Sequence, residues 1–206
     1  MMDAVTKLAV QKVTEEYNPH TVIVYGSRAR GDATAESDID IACFVDEPQI
    51  SKCAYEFQGA YLDLWVYATR SMREWSNEFL KFDGGFCAID KTGLGNALIE
   101  RVARKVLEGP EPLLDEDKLH VKAWSYKMLE RAAKDDLEGK YRRVWLQFDL
   151  LETYFLLRDR WYFGPKRSLS WLELNDKPAY ELFRRTYENP EDWKALETVV
   201  EYTTRV

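Results

Sequence analysis

The periodicity of the apolar residues changes along this chain of 206 residues, and the change falls at the cluster Gly109-Pro110-Glu111-Pro112. Before the cluster, short β-rich apolar runs alternate with segments of helical period. After it, apolar residues recur only at helical spacing. Because glycine and proline interrupt helices and strands alike, the cluster predicts a boundary between two domains. We expect a sheet-containing domain in residues 1–110 and an all-helical domain in residues 111–206.

Three short apolar runs predict strands in the N-terminal domain, at residues 21–25, 39–45 and 61–67. They are rich in β-branched and aromatic residues, and each is too short for a typical helix. Strands that alternate with helices indicate an α/β or an α+β fold. Further segments are predicted as helices at 3–17, 71–82 and 94–107, and as an apolar run at 86–89.

The composition narrows the class of function. The chain has 29 Lys and Arg against 36 Asp and Glu, which gives a net charge of -7. This balance disfavours a dedicated nucleic-acid binder, whose affinity depends on a basic surface, and it is compatible with a small cationic substrate. No apolar run approaches the ~18 residues of a membrane span, and the first residues do not resemble a signal peptide, so we expect a cytoplasmic protein.

The cysteines indicate neither disulfides nor zinc. Cys43, Cys53 and Cys87 are odd in number and lack the C-x-x-C spacing, and the chain has only two histidines. Such cysteines are usually small core residues.

One stretch carries residues suited to phosphate chemistry. The first predicted strand ends at Gly26, where the missing side chain lets another group approach the backbone. Ser27 follows at the predicted start of a helix, and helix N-termini bind phosphate through unpaired N–H groups and the positive end of the dipole. Arg28 would strengthen such a site.

Three aspartates follow on the next two predicted strands. Asp38 and Asp40 alternate with isoleucines, so both point to one face, about 6 to 7 Å apart along the chain. Carboxylate oxygens bind divalent cations, and a pair of such ions can clamp a phosphoryl group. Asp63 would join them if its strand lies beside theirs.

Each of these features has an ordinary structural explanation when it is taken alone. Gly-Ser turns are common, an Asp-x-Asp pair usually caps an element or faces solvent, and Asp63 alone would be a polar strand residue. Their combination in this order favours a functional site.

Gly26-Ser27, ten further residues and then Asp38-Ile39-Asp40 resemble the signature of the polymerase-beta-type nucleotidyltransferase superfamily. The similarity is greatest to its small bacterial branch of minimal nucleotidyltransferases and antibiotic adenylyltransferases. The resemblance implies an α+β fold, with a palm-like mixed sheet followed by a helical bundle. It also implies that a nucleoside monophosphate, most commonly AMP, moves from a magnesium-bound nucleoside triphosphate to an acceptor hydroxyl.

The resemblance also implies roles for individual residues. Asp38, Asp40 and Asp63 would hold two Mg²⁺ ions, with Asp63 beside the acceptor hydroxyl. Gly26 and Ser27 would bind the β and γ phosphates of ATP or another triphosphate, helped by Arg28.

In several relatives a glutamate of the helical domain acts as general base, and Glu152 is the candidate here. At 100° per residue it falls within the apolar stripe formed by Tyr141, Phe148, Leu151 and Phe155. A carboxylate on an apolar face is costly unless it is paired or functional. The alternative is a structural ion pair with Arg131, Arg142 or Arg185.

Lys166 is a second candidate in the helical part. It follows the helix-breaking Gly164-Pro165 near the start of a predicted helix, where a cation opposes the helix dipole. By similarity to relatives, it would reach the triphosphate across a cleft between the domains. The alternative is a solvated loop residue.

Three functions follow as hypotheses. The first is adenylylation of a small hydroxylated acceptor, such as an aminoglycoside-like antibiotic. The second is a protein-modifying antitoxin that acts on a partner chain, and the third is a non-catalytic nucleotide-binding protein. Nucleic acid and membrane partners are not expected, whereas the many aromatic residues are compatible with a homodimer.

Overall fold

A computed structural model describes residues 2–206. The chain divides into two compact units, Met1–Glu108 and Gly109–Val206. The first unit contains a mixed sheet with helices and the second is helical, so the predicted α+β class is confirmed.

The N-terminal unit follows the predicted order, except for one added strand and for two short 3₁₀ helices in place of the helix predicted at 71–82. Its elements are α1 (Ala4–Tyr17), β1 (Thr21–Tyr25), α2 (Gly26–Arg30), β2 (Ile39–Val45), β3 (Lys52–Phe57), β4 (Ala60–Ala68), two 3₁₀ helices (Thr69–Met72 and Asn77–Phe82), β5 (Phe86–Asp90) and α3 (Leu94–Glu108).

The five strands form one mixed sheet in the order β3-β4-β2-β1-β5. β1 pairs antiparallel with β2 and with β5, whereas β2 and β4 are parallel. The parallel register places Asp40 directly beside Asp63. The sheet topology therefore brings together two side chains that lie 23 positions apart in the sequence.

β3 was not predicted, although a turn signal precedes β4. It pairs antiparallel with β4, and the hairpin turns at Gln58-Gly59, where φ is 53° and 79°. Two successive positive φ values are typical of the type I′ turn that joins tightly paired strands. This hairpin explains how β4 runs parallel to β2 without a long helical crossover.

The single helix predicted over residues 71–82 is wrong, because the structure has two short 3₁₀ helices there. Ser76 interrupts them with extended backbone, at φ -134° and ψ 136°, and its hydroxyl accepts a hydrogen bond from the Glu78 N–H. Serine competes in this way with helical hydrogen bonding and favours a cap.

Apolar side chains cover both faces of the sheet. On one face, Ala9 and Val13 of α1 pack with Ile41 and Leu64 of the sheet. The other face is covered by an aromatic and aliphatic cluster that includes Phe44, Phe79, Phe82, Leu98 and Val102. The central strands are therefore held on both sides, and polar groups at their ends are fixed in place.

The C-terminal unit consists of α4 (Asp115–Ala132), α5 (Leu137–Leu157), α6 (Pro165–Asn175), α7 (Lys177–Glu188) and α8 (Trp193–Thr204). Its core lies mainly between α5, α7 and α8, with Leu150, Tyr154, Phe183, Leu196 and Val199 fully enclosed. Within residues 2–206, no helix is both long and apolar enough to cross a membrane.

The predicted apolar stripe of α5 is only partly buried. Leu151 and Phe155 lie in the core, but Tyr141 and Phe148 are 66% and 73% exposed. The buried face instead includes Leu146, Gln147, Leu150 and Tyr154. Helical spacing identifies which residues share a face, but packing against α4, α7 and α8 decides which face is buried.

Candidate active site

The row formed by Tyr25, Asp40 and Asp63 is the central feature of the candidate site. Asp40 lies opposite Tyr25 on one neighbouring strand and opposite Asp63 on the other. Residues in register on adjacent strands point to the same face, and adjacent strands lie about 4.8 Å apart. The two half-buried carboxylates are thus neighbours on the face that also carries Phe44.

Gly26 directly follows β1 and lies against the Asp40 carboxylate. Its φ of +70° lies in the left-handed region, which side chains disfavour. A Cβ added there would lie 1.9 Å from Asp40 Oδ2. Two separate constraints therefore require glycine at this position, and the close approach leaves the Asp40 carboxylate against the first turn of α2.

The short length of α2 weakens the expectation that a helix dipole helps to bind phosphate at Gly26 and Ser27. It spans only Gly26–Arg30, about one turn, and Ser27 is half-buried in it. So few aligned peptide units produce little of the macrodipole that a long helix has. Binding of phosphate by Gly26 and Ser27 stays a prediction that depends on backbone N–H groups rather than on a helix dipole.

Asp38 lies immediately before β2 and is exposed. The Arg28 guanidinium holds this segment: Nε donates to the Asp38 carbonyl at 3.0 Å, and Nη2 donates to the Ser37 carbonyl at 2.7 Å. Arg28 Nη1 also lies 3.3 Å from Asp3 Oδ2. These contacts indicate that Arg28 positions the backbone of Asp38, in addition to any role toward phosphate.

The clustered negative charge alters the acidity of Asp40. Burial raises its pKa first, the charges of Asp63 and Asp38 raise it further, and Arg30 and Lys81 oppose the increase. The result is a pKa of about 6. Ionised Asp40 is therefore under-stabilised in the free protein, and a bound cation would relieve that cost.

Lys81 is a residue of this site that sequence analysis missed. Its ammonium lies 3.6 Å from the centroid of the Trp65 ring and donates to the Tyr67 hydroxyl at 2.8 Å and to Glu78 Oε1 at 3.2 Å. Burial lowers the pKa of Lys81, whereas Glu78 and the carboxylates of Asp63 and Asp40 act to raise it. A signal was present, because Lys81 is the charged residue within the apolar run 79–82.

Trp65 links Lys81 to the carboxylates. Its indole Nε1–H donates to Asp63 Oδ2 at 3.2 Å, while Lys81 lies over the ring. A cation above an aromatic ring is attracted by the electron density of its face. The Trp65 contact restrains one oxygen of Asp63 and leaves the other for a ligand.

The residues present fit a hard divalent cation. Asp40 and Asp63 supply oxygen donors side by side, and Gly26 leaves space at Asp40. Across residues 2–206, no three Asp, Glu, His or Cys side chains converge closely enough to hold a metal by themselves. Magnesium is usually bound by one or two protein carboxylates together with substrate phosphates. Two carboxylates are therefore enough to hold a magnesium ion that a nucleotide brings.

Glu152 and Lys166 lie in the C-terminal unit. Glu152 is exposed on α5, so the expectation that it occupies a buried apolar face is wrong, for the reason given for the α5 stripe. Lys166 is the second residue of α6 and is also exposed. Their roles as general base and as phosphate ligand stay predictions.

Comparison with known proteins supports the chemistry indicated by this geometry. Residues 9–77 match the family model described as polymerase beta, nucleotidyltransferase. No curated protein sequence matches the chain.

Among solved structures, a nucleotidyltransferase-like protein from Exiguobacterium sibiricum 255-15 is similar, with 11% identity and a TM-score of 0.41. The similarity covers 98% of this chain and 73% of that one.

The family model spans β1 to β4 and so includes Gly26, Asp40 and Asp63. Nucleotidyltransferases of this family generally use a nucleoside triphosphate and a divalent metal ion. Residues 9–77, within the N-terminal unit, therefore match a nucleotidyltransferase domain of the polymerase-beta type.

Proposed function

We propose that the chain transfers AMP from magnesium-bound ATP to a hydroxyl group of a small-molecule acceptor. The observation that carries the proposal is the pairing of Asp40 with Asp63 in register on parallel strands, with the backbone of Gly26 against Asp40. The family match supports nucleotidyl transfer, and AMP is proposed as the commonest group transferred in the branch that the sequence resembles.

The proposed reaction is an in-line displacement at the α-phosphorus. The acceptor oxygen forms a bond to phosphorus, the bond to the bridging oxygen breaks, and pyrophosphate leaves with its electron pair. The oxygen of Asp63 that Trp65 does not hold takes the hydroxyl proton. Bound magnesium supplies charge neutralisation at the phosphates.

The carboxylates would bind and orient rather than react covalently. Asp40 would hold the cation that the triphosphate brings, with Asp63 beside it and Asp38 before β2 as further oxygen donors, and Gly26 and Ser27 would offer backbone N–H groups to the outer phosphates. Because Asp40 has a pKa of about 6 in the free protein, it is mostly ionised at neutral pH and gains most from a cation.

Two features support a small acceptor. The net charge of -7 disfavours nucleic acid, whose binding requires a basic surface. On β4, Tyr61 and Trp65 share the face of Asp63, one on each side, and Tyr61 is 50% exposed. Because Lys81 lies over the Trp65 ring, the exposed Tyr61 ring beside Asp63 is the surface that suits a hydroxylated ring, such as the sugar of an aminoglycoside-like compound.

The test is a transfer assay with ATP labelled on the α-phosphate, run against aminoglycosides, lincosamides, simple metabolites and cell-extract proteins. We expect magnesium-dependent label on a small molecule and release of pyrophosphate. Label on a protein instead would replace the proposed acceptor class with a protein-modifying activity.

Matched variants distinguish transfer at the proposed site from transfer by a contaminating enzyme. Asp63→Asn should abolish transfer, whereas Glu36→Gln, an exposed residue in the loop before β2, should leave it unchanged. Transfer that survives in Asp63→Asn would disprove the proposed role of that carboxylate.

A further inference from the structure

The groove between α4 and α5 contains a pocket of about 250 Å³. Three of its lining residues come from α4 and three from α5, all within the C-terminal unit: His120, Val121, Trp124, Asp149, Thr153 and Leu156. Neither the family match nor the proposed transfer reaction assigns a role to this pocket.

The polar end of the pocket is a half-buried carboxylate. The Thr153 hydroxyl donates to Asp149 Oδ2 at 3.0 Å. Asp149 forms no ion pair with a lysine or arginine anywhere in residues 2–206. Burial raises the pKa of Asp149 and the Thr153 hydrogen bond opposes this only in part, so the ionised group is incompletely stabilised and one oxygen is left for a ligand.

The walls of the pocket are apolar and one of them is fixed. Val121, Trp124 and Leu156 provide these walls. Trp124 packs edge to face against Trp145, with ring centroids 4.9 Å apart, which restrains its orientation. A restrained indole beside a carboxylate attracts cations through its ring face as well as through the charge.

We propose that this pocket binds a small organic ammonium ion, or the amine-bearing end of a larger molecule. The ammonium group would donate to Asp149, and the hydrocarbon portion would lie against Trp124, Val121 and Leu156. The volume lies just below the ~300 to 1,000 Å³ of typical ligand sites, which limits the occupant to a small group. His120 lies at the exposed rim of the pocket.

Calorimetric titration with cyclohexylammonium chloride at pH 8 tests the proposal, with cyclohexanol as the uncharged counterpart. The full-length chain should carry Asp40→Asn and Asp63→Asn, so that the carboxylates of the sheet do not bind the cation. We expect saturable binding of the ammonium ion and at least tenfold weaker binding of the alcohol.

Three variants locate the binding. In Asp149→Asn the charge is removed at nearly constant shape, and affinity should fall at least tenfold. Glu130→Gln removes an exposed carboxylate of α4 that does not line the pocket and should leave the affinity unchanged. Leu156→Trp, at a position 40% exposed, should block the pocket without altering Asp149.

The proposal is overturned if cyclohexylammonium does not bind, if the alcohol binds equally well, or if Leu156→Trp retains full affinity. Should Asp149→Asn lose its helical circular dichroism, the Leu156→Trp result decides alone. Because the readout is binding and not transfer, it is independent of the proposed nucleotidyl transfer.

Discussion

Asp40 in the N-terminal unit and Asp176 in the C-terminal unit are both partly buried beside tyrosines, yet their surroundings are opposite. Asp40 has Asp63 and Asp38 as neighbours, and its pKa is raised to about 6. Asp176 accepts hydrogen bonds from the hydroxyls of Tyr154 and Tyr202, at 2.5 and 2.8 Å.

The remaining contacts of Asp176 complete its stabilisation. It caps the N-terminus of α7 by accepting from the Ala179 N–H, and Arg158 lies nearby. Partial burial acts to raise the pKa of Asp176, but the hydrogen bonds from Tyr154, Tyr202 and Ala179 and the charge of Arg158 outweigh it, so the pKa is lowered.

The difference separates a carboxylate that stabilises the fold from one that costs stability. Asp176 is satisfied by the protein itself and joins α5, α7 and α8. Asp40 lies beside the like charges of Asp63 and Asp38, which Arg30 and Lys81 offset only in part. A carboxylate whose pKa is raised by burial and by like charges, as that of Asp40 is, is typical of a binding or catalytic site.

The largest expected effect is on activity. Asp40→Asn should lower transfer by about 10³-fold or more, because it removes a charge that the proposed site needs. Its thermal unfolding in EDTA should occur at or above the temperature of the wild type. A folded variant with wild-type transfer would remove Asp40 from the mechanism.

The second effect is on stability. Asp176→Ala should lower the free energy of unfolding by about 3 kcal/mol, since it removes a helix cap and leaves the buried Tyr154 hydroxyl unpaired. Urea denaturation measures this loss. Tyr202→Phe removes only one of the hydrogen bonds and should cost about 1 kcal/mol. Equal costs for the two variants would contradict this account of Asp176.

Gly26→Ala should destabilise the chain by about 2 kcal/mol and also reduce transfer, because the new methyl group is strained in the backbone and displaces Asp40. Gly31→Ala is the matched control. Its φ is +85°, but nothing lies within 4 Å of the added Cβ. The control should show the backbone strain in urea denaturation and keep full transfer. If both variants lose transfer equally, displacement of Asp40 is not the cause.

The smallest expected effect is on the pH dependence of stability. The pKa of Asp40 rises from 3.8 to about 6 on folding, so the folded state binds the proton more tightly. Stability is therefore lost as pH increases from about 4 to 7. Asp40→Asn lacks this loss and should gain about 1 to 2 kcal/mol on the metal-free wild type across that range, with partial exposure taken into account.

Asp176 should give the opposite dependence of stability on pH. Because its folded pKa is lowered below 3.8, its contribution is present above that pH and is lost as the pH falls through the folded value. The stability difference between wild type and Asp176→Asn should therefore shrink in acid. Parallel pH profiles for the two variants would refute the contrast between the two carboxylates.

Much of the fold was predictable, and the errors have local causes. β1 and β2 were predicted with their observed ends, because short β-branched runs end at glycine or at polar residues. β3 was missed because it has no continuous apolar run: Cys53, Tyr55 and Phe57 alternate with Lys52, Ala54 and Glu56, which are exposed at the sheet edge. Lys81 was missed because only folding brings it to Trp65.

The order of chemical groups along the chain was readable without a structure: a strand, Gly26, a ten-residue interval after Ser27, and aspartates on two further strands. That order sufficed to indicate the nucleotidyltransferase family whose model matches residues 9–77, because the chemistry depends on residue type and spacing. The tertiary structure decided which groups meet. Strand register placed Asp40 beside Asp63, and helix packing exposed Glu152 while it half-buried Asp149. Burial and proximity depend on contacts between distant segments, and periodicity within one segment does not specify them.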